Sequence, residues 1–276
     1  MRTRYAPSPT GHLHLGHVAN AIYVWGLARK AGGRVLLRME DHDRIRCRPE
    51  YEASILQDLA WLGFEPHEGL TPLVRQSERE HVYRAALERL RSTQHVYACD
   101  CSRTVIEHRS RLQAAQDGDP YDGFCRTRGL ADGPKRGLRA QMEDGGDLLV
   151  RDRDGHWTYH FAVTVDDIDQ RITHVIRGDD LRFSTQQQLR LRRMLGSDIT
   201  PVYVHHPLIL KPNGEKLSKS ASDTGVRELR QAGIGPADVI GRAAAAVGLI
   251  KTPRAISASD VGMLFESRTA DPESCL

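Results

Sequence analysis

The chain has 276 residues, 39% hydrophobic and 27% charged, and no apolar run long enough to cross a bilayer. These numbers exclude a minimal peptide module and an integral helical membrane protein. They predict a soluble globular protein, either one large domain or one domain with inserted or appended pieces. No secretory or transit peptide precedes the first motif at Arg4, so a cytoplasmic location is expected. The net charge of +3, from 39 Lys+Arg against 36 Asp+Glu, does not by itself mark a nucleic-acid binder, although it permits a local basic face.

Taken in chain order, Leu15 to Lys30 reads as a helix, with Val18, Ile22, Trp25 and Arg29 on one face, Ala21 and Ala28 broadening it, and Gly32-Gly33 ending it. The apolar run RVLLRM, Arg34 to Met39, has the length of a buried strand. Pro49 opens a second helix whose core face is Ile55, Leu56, Leu59 and Leu62, and a third is predicted from Glu78 to Leu90. HVYACD reads as a further strand. This alternation predicts an α/β fold with a parallel sheet.

Between Cys99 and Leu149 the periodicity weakens and Gly, Asp, Arg and Cys accumulate, which suggests a smaller inserted subdomain. WTYHFAVTVDDI and ITHVIRG then read as strands returning to the main sheet. Ser184 is expected to cap a helix reaching Leu195, and PVYVHHPLIL reads as a strand. Asn213-Gly214 should turn into a lysine-rich loop, and a helix should run from Pro236 to Val247. The last twenty or so residues are polar and are expected to pack loosely. The expected segments are 1–98 and 151–221 for the two halves of the main domain, 99–150 for the insert, and 222–276 for a helical C-terminal part with a polar tail.

Three patterns carry chemistry. The first is RYAPSPTGHLHLGH, Arg4 to His17, in which His14 and His17 flank Leu15-Gly16 at the predicted start of a helix. A helix N-terminus presents unpaired N–H groups and a positive dipole, and so attracts anions. Two imidazoles add donors there, and Gly16 lets a ligand approach the backbone. His12 precedes the turn and is left outside the motif. A zinc reading lacks a third ligand at suitable spacing, while the plain alternative is a pair of surface histidines. The second pattern is EKLSKS, Glu215 to Ser220, in which Lys216 and Lys219 are flexible phosphate ligands if the loop is more than a solvated turn. The third is the set Cys99, Cys101 and Cys125 among five cysteines, which in a reducing compartment suggests a metal site before disulfides. Cys47 and Cys275 look incidental.

HLGH resembles the HIGH signature, and KLSKS the KMSKS signature, of class I aminoacyl-tRNA synthetases. RYAPSPTGHLHLGH, RMEDHDRIR (Arg38 to Arg46) and ITHVIRGDDL (Ile172 to Leu181) resemble stretches of the glutamyl branch in particular. Together the similarity covers most of residues 1 to 250. It implies a Rossmann-like catalytic domain with an inserted zinc-binding, acceptor-type subdomain and a short helical C-terminal part. It also implies ATP, with magnesium, and L-glutamate as substrates. By the same resemblance His14, His17 and Lys219, with Lys216, serve the ATP phosphates. Arg4, Tyr5, Ala6, Pro7, Ser8, Glu40, Tyr159 and Arg177 form the glutamate pocket. The charges agree with that ligand, because two guanidiniums suit its carboxylates and Glu40 its ammonium group.

Cys-x-Cys followed by Tyr-x-x-x-Cys resembles the zinc set of the glutamyl-queuosine tRNA(Asp) synthetases, which makes Cys99, Cys101, Tyr121 and Cys125 the implied ligands. Unmetallated thiols are the alternative. Two further departures resemble that family. SASDTGVREL stands where full-length glutamyl enzymes usually continue with Arg-His-Gly-Ala, and Leu181 stands where they commonly have His. The sequence stops soon after the lysine loop, so an appended anticodon-binding domain is not expected. The resemblance implies a monomer that activates glutamate without tRNA and transfers it to queuosine in the anticodon stem-loop of tRNA(Asp). A truncated glutamyl-tRNA synthetase charging a 3′ end, and a tRNA-binding module without catalysis, are the alternatives.

Overall fold

The computed structural model describes residues 1–43, 45–93, 96–112, 121–142, 146–210 and 225–266. In chain order the elements begin with β1 (Arg2–Tyr5), α1 (Leu15–Lys30), β2 (Arg34–Met39), α2 (Pro49–Leu62), β3 (Val74–Arg75), α3 (Glu80–Thr93), β4 (Val96–Cys99) and α4 (Arg103–Leu112). They continue with β5 (Gly137–Ala140), β6 (Leu148–Arg151), α5 (Tyr159–Asp169), β7 (His174–Gly178), α6 (Ser184–Met194), β8 (Val202–His206), α7 (Val226–Gln231) and α8 (Pro236–Ala246). Among the described residues no helix is long and apolar enough to cross a membrane.

Two compact units divide the chain: residues 1–78, 171–183 and 200–276 form the first, and 79–170 with 184–199 the second. The segment 99–150 falls wholly inside the second unit, which also takes α3, β4, α5 and α6.

The first unit is the α/β part. β1, β2 and β3 pair in parallel, as do β7 and β8. β7 begins beside β1, because Thr173 N–H donates to Arg2 O at 2.9 Å and Arg2 N–H to Thr173 Oγ1 at 2.9 Å. The apolar run Arg34–Met39 makes a strand buried from Val35 onward, as its length predicts. α1 departs from the one-faced pattern, since Val18, Ala19, Ala21 to Gly26 and Ala28 are all buried. The helix packs against β1, β2 and β7 as well as α8 and a 3₁₀ helix at Ala258–Phe265, so its periodicity is blurred by burial on several sides. It ends at Ala31, followed by Gly32 at φ +55°, a conformation glycine adopts without Cβ strain. Ala258–Phe265 corrects the expectation of a loose tail there: Val261 and Phe265 are buried against the core. Residues 267–276 lie outside the described set.

The second unit centres on an antiparallel sheet, β4-β5-β6, so the described part of HVYACD, Val96–Cys99, is a strand of a separate sheet rather than of the parallel one. WTYHFAVTVDDI is the clearest correction, because its core is helix α5 and not a strand. Phe161 to Asp167 are buried on every side of that helix, which removes the polar face that would have revealed a 3.6-residue period, while Val163, Thr164 and Val165 mimic a strand composition. One of its buried acids is tied to α3 and the residue before it. Asp166 accepts from Arg79 Nε at 2.6 Å and from Tyr83 Oη at 3.0 Å. Ser184 is the first residue of α6 rather than its cap.

Candidate active site

Four parallel strands of the first unit end in polar residues, three of them in residues the sequence singled out. Arg4 and Tyr5 close β1, Glu40 follows β2, Arg177 sits near the end of β7, and His205 and His206 close β8. The carboxyl ends of parallel strands are where open α/β sheets bind ligands, because the loops diverge there and leave a crevice. The side chains are deeply placed: Arg4 is 5% exposed, Glu40 7% and Arg177 3%.

Arg4 reaches across to β7, its Nη1 3.4 Å from Ile176 O. Glu40 accepts from Arg38 Nη2 at 3.1 Å, and its backbone N–H donates to Pro7 O at 3.0 Å, which ties the β2 end to the Ala6-Pro7-Ser8 turn. Burial pushes the Glu40 carboxyl above its ordinary pKa, against the pull of Arg38, Arg4 and His42. A buried acid whose desolvation outweighs its basic neighbours favours the arrival of a further cation. Tyr5 donates to His17 O at 3.3 Å and sets its ring 5.2 Å from Trp25 at a tilt of 57°, so it joins the strand to the helix start; burial raises its pKa. Ser8 lies 4.0 Å from Cys47 Sγ, which gives the cysteine that looked incidental a place at the same turn.

His14 is the N-cap of α1 and His17 its third residue, in a reciprocal capping box. Gly16 N–H donates to His14 Nδ1 at 3.1 Å, and His14 N–H donates to His17 Nδ1 at 3.1 Å. With Nδ1 of each ring accepting, the neutral imidazole carries its proton on Nε2, so each ring has a donor on the side away from the cap. The ring centroids are 3.9 Å apart. A Cβ on Gly16 would stand 2.9 Å from His14 Cε1, so glycine is needed for this placement. His12 bonds Ser54 at 2.8 Å and packs edge-on to Tyr51, outside this pair.

Lys216 and Lys219, with the Asn213-Gly214 turn, lie outside the described residues, as does Arg44 of the RMEDHDRIR run. The chain re-enters at Gly225, which bridges to His14, and Val226 N–H donates to Leu13 O at 2.9 Å. The return from the lysine loop is thus fastened beside the histidines. Tyr159 belongs to the second unit, as the first residue of α5 with its ring 5.4 Å from His160.

Sequence reasoning missed the holders of Arg177. The β7–β8 register sets Arg177 opposite His205, and Arg177 Nε donates to His205 Nε2 at 3.3 Å while the guanidinium lies 5.0 Å from the Tyr203 ring centre. Burial, with Arg177 and Arg182 nearby, lowers the His205 pKa to about 4, so the ring stays a neutral acceptor. The alternation in VYVHH held the signal, but the register that pairs it with Arg177 is a tertiary fact.

In the second unit the Sγ atoms of Cys99, Cys101 and Cys125 lie within 4.8 Å of one another. Tyr121 Oη is 3.5 Å from Cys99 Sγ and accepts from Cys125 N–H at 2.9 Å. Burial and the neighbouring sulfurs push the Cys101 thiol up to about 12. Thiols crowded this closely resist joint ionisation, and a bound cation would relieve that. The donor set can hold a metal ion. Arg139 covers the Tyr121 ring at 3.6 Å.

Comparison with known proteins fits this arrangement. Residues 1–152 and 136–240 match the family model for the catalytic domain of class I (E and Q) tRNA synthetases. The chain is 40% identical to a glutamate–tRNA ligase of Frankia casuarinae over 86% of its own length and 54% of that protein, so it spans about half the length of such ligases. It is also 40% identical to a glutamyl-Q tRNA(Asp) synthetase of Rhodobacter capsulatus, over 87% of its own length and 98% of that protein. Among solved structures, a glutamate tRNA ligase from Elizabethkingia meningosepticum superposes with a TM-score of 0.76 at 27% identity, over 95% of this chain and 64% of that one. The chain therefore belongs to the class I (E and Q) tRNA synthetases.

Proposed function

We propose that the protein activates L-glutamate with ATP in the absence of tRNA and then transfers the glutamyl group to the queuosine base in the anticodon of tRNA(Asp), acting as a cytoplasmic monomer. The observation that carries this reading is the convergence of Arg4, Glu40, Arg177 and the His14–His17 cap at the ends of parallel strands in one unit. Arg4 and Arg177 take the substrate carboxylates, and Glu40 takes the ammonium group. The α-carboxylate attacks the α-phosphorus of ATP and pyrophosphate departs. This asks the protein mainly for alignment and for donors to the phosphoryl oxygens. The Nε2–H groups of His14 and His17 supply donors at a helix N-terminus, and Lys216 and Lys219 neutralise the triphosphate.

The queuosine acceptor is favoured over a tRNA 3′ end by SASDTGVREL and Leu181, and by similarity to proteins named glutamyl-Q tRNA(Asp) synthetases from three organisms. Cys99, Cys101, Cys125 and Tyr121 hold a structural zinc, which ties β4 to the Tyr121–Cys125 turn. Labelled glutamate and ATP, offered to tRNA(Asp) with or without queuosine, test the reading. Label is expected only with queuosine present, and charging of unmodified tRNA(Glu) at its 3′ end would overturn it.

A further inference from the structure

Asp58 is a buried acid of the first unit that the site described above does not use. It stands on α2, 2% exposed, and its Oδ2 is buried without a hydrogen-bond partner among the described residues. Asp166 of the second unit is as deeply buried, yet it accepts from Arg79 and Tyr83. Burial raises the Asp58 pKa to about 6; Arg230 and Arg227 pull it down, Glu228 pushes it up, and burial prevails. Such a group costs stability, and a ligand that supplies the missing partner is a reason for a fold to keep it.

Asp58 lines a cavity of about 860 Å³ between α2 and α7, both within the first unit. Helical spacing gathers the lining. Glu50, Ser54 and Asp58 recur every fourth residue on one face of α2, and Arg227 and Arg230 stand three apart on α7. Both arginines are exposed and make no hydrogen bond or ion pair among the described residues, so each acts on Asp58 from beyond ion-pair distance. Arg230 lies 5.6 Å from the centre of the Trp61 ring. His12 belongs to the wall and is held by Ser54 at 2.8 Å, and Glu50 is exposed in the first turn of α2. The cavity thus offers one carboxylate at depth and two guanidiniums on the side of solvent.

We infer that this cavity is a second binding site for an acidic α-amino acid, L-glutamate, with its ammonium group on Asp58 and its carboxylates on Arg227 and Arg230. The choice of glutamate rests on the function proposed above; the charge pattern does not. That pattern repeats the one at the strand ends, where Arg4 and Arg177 stand with Glu40. An ammonium group suits the buried carboxylate better than a neutral donor, because it balances the charge as well as making the bond. A polyamine would meet Arg227 and Arg230 with like charge, and an inorganic anion would leave Asp58 unmet. The space beyond one amino acid is open to water. An occupant links α2 to α7, the helix by which the chain returns from the lysine loop, where Val226 N–H bonds Leu13 O and Gly225 bridges to His14.

The test is equilibrium dialysis of the whole protein against labelled L-glutamate, without ATP or RNA. The wild type is expected to bind at two sites, and Arg177→Ala, which disables the pocket at the strand ends, at one. Arg227→Ala with Arg230→Ala should also bind at one, the site that Arg177 serves. Asp58→Asn should lose the same site as that double variant while being more stable than the wild type at pH 8, a combination that unfolding cannot produce. Glutarate, which lacks the ammonium group, should compete for the second site about tenfold or more less well than glutamate. Equal competition by glutarate, or two sites retained in Asp58→Asn, overturns the inference. So does a single wild-type site that Arg177→Ala abolishes. A single site that survives Arg177→Ala and is lost in the double variant supports the cavity and sinks the glutamate pocket proposed above.

Discussion

Two buried carboxylates, one in each unit, show how differently the same chemistry can be treated. Asp147 has a fully buried side chain, and burial alone would raise its pKa. Yet it accepts from Arg126 through two nitrogens at 2.5 Å, from Tyr97 Oη and from Met142 N–H at 2.9 Å, and these bonds hold it below the ordinary range. Glu40 is nearly as buried, but Arg38 serves one oxygen at 3.1 Å and burial wins. Asp147 is closed on itself and holds β4 and the Arg126 turn together. Glu40 stands at the end of a strand with Arg38, Arg4 and His42 acting on it, and burial still outweighs them, the state expected of a group with room for a ligand partner.

Substitutions can break that contrast. Asp147→Asn should lower unfolding free energy by about 3 kcal/mol, near the low end for a broken buried pair because Arg126 is 31% exposed and can turn to water. Exchange activity per folded molecule should stay unchanged; lost activity in a stable variant would remove the structural assignment. Arg177→Ala should do the reverse. Glutamate-dependent exchange should fall about a hundredfold in kcat/KM, from loss of a buried charged contact, and Arg177→Lys should restore only part of it, since the flat fork is missing.

Asp58 offers a pH test. It is 2% exposed, and burial raises its pKa to about 6 despite Arg230 and Arg227. The folded state therefore holds the proton more tightly than the unfolded one. Its destabilising effect is absent below the unfolded pKa near 4 and fully present above 6, so stability should fall as pH rises between them. Asp58→Asn should recover about 2 kcal/mol at pH 8 and nothing at pH 4 in urea denaturation. A difference independent of pH would refute the assignment. Glu40→Gln is the mildest case for activity: KM for glutamate should rise about tenfold, and the melting temperature should fall, because the fully buried Arg38 loses its carboxylate partner. An unchanged KM would place Glu40 with Asp147 as an architectural acid.

Much of the first unit could be read in the sequence because its signals are local. Leu15–Lys30 and Arg34–Met39 were delimited by their patterns, and the cap residues His14 and His17 stand at the helix start where the turn Pro7 to Gly11 delivers them. What escaped was relational. The helix at Tyr159–Asp169 is buried all round and carries no periodic stripe. The hold of His205 on Arg177 depends on a strand register that no local pattern encodes. The antiparallel partners of β4 lie some forty residues away, beyond a stretch of weak pattern.

The contact between α1 and the Ala258–Phe265 turn has a practical side. A Cβ on Gly26 would meet Phe265 at 2.3 Å, so the helix carries a notch that this ring fills, and Lys30 Nζ holds Phe265 O at 2.8 Å. The helix whose first turn carries both histidines is thus buttressed at its far end by the last described turn of the chain. Trimming the polar tail is a common step when a protein is prepared for crystallisation. Here a cut before Phe265 would unseat the far end of the helix that aims the histidines, and the damage would read out as a catalytic defect.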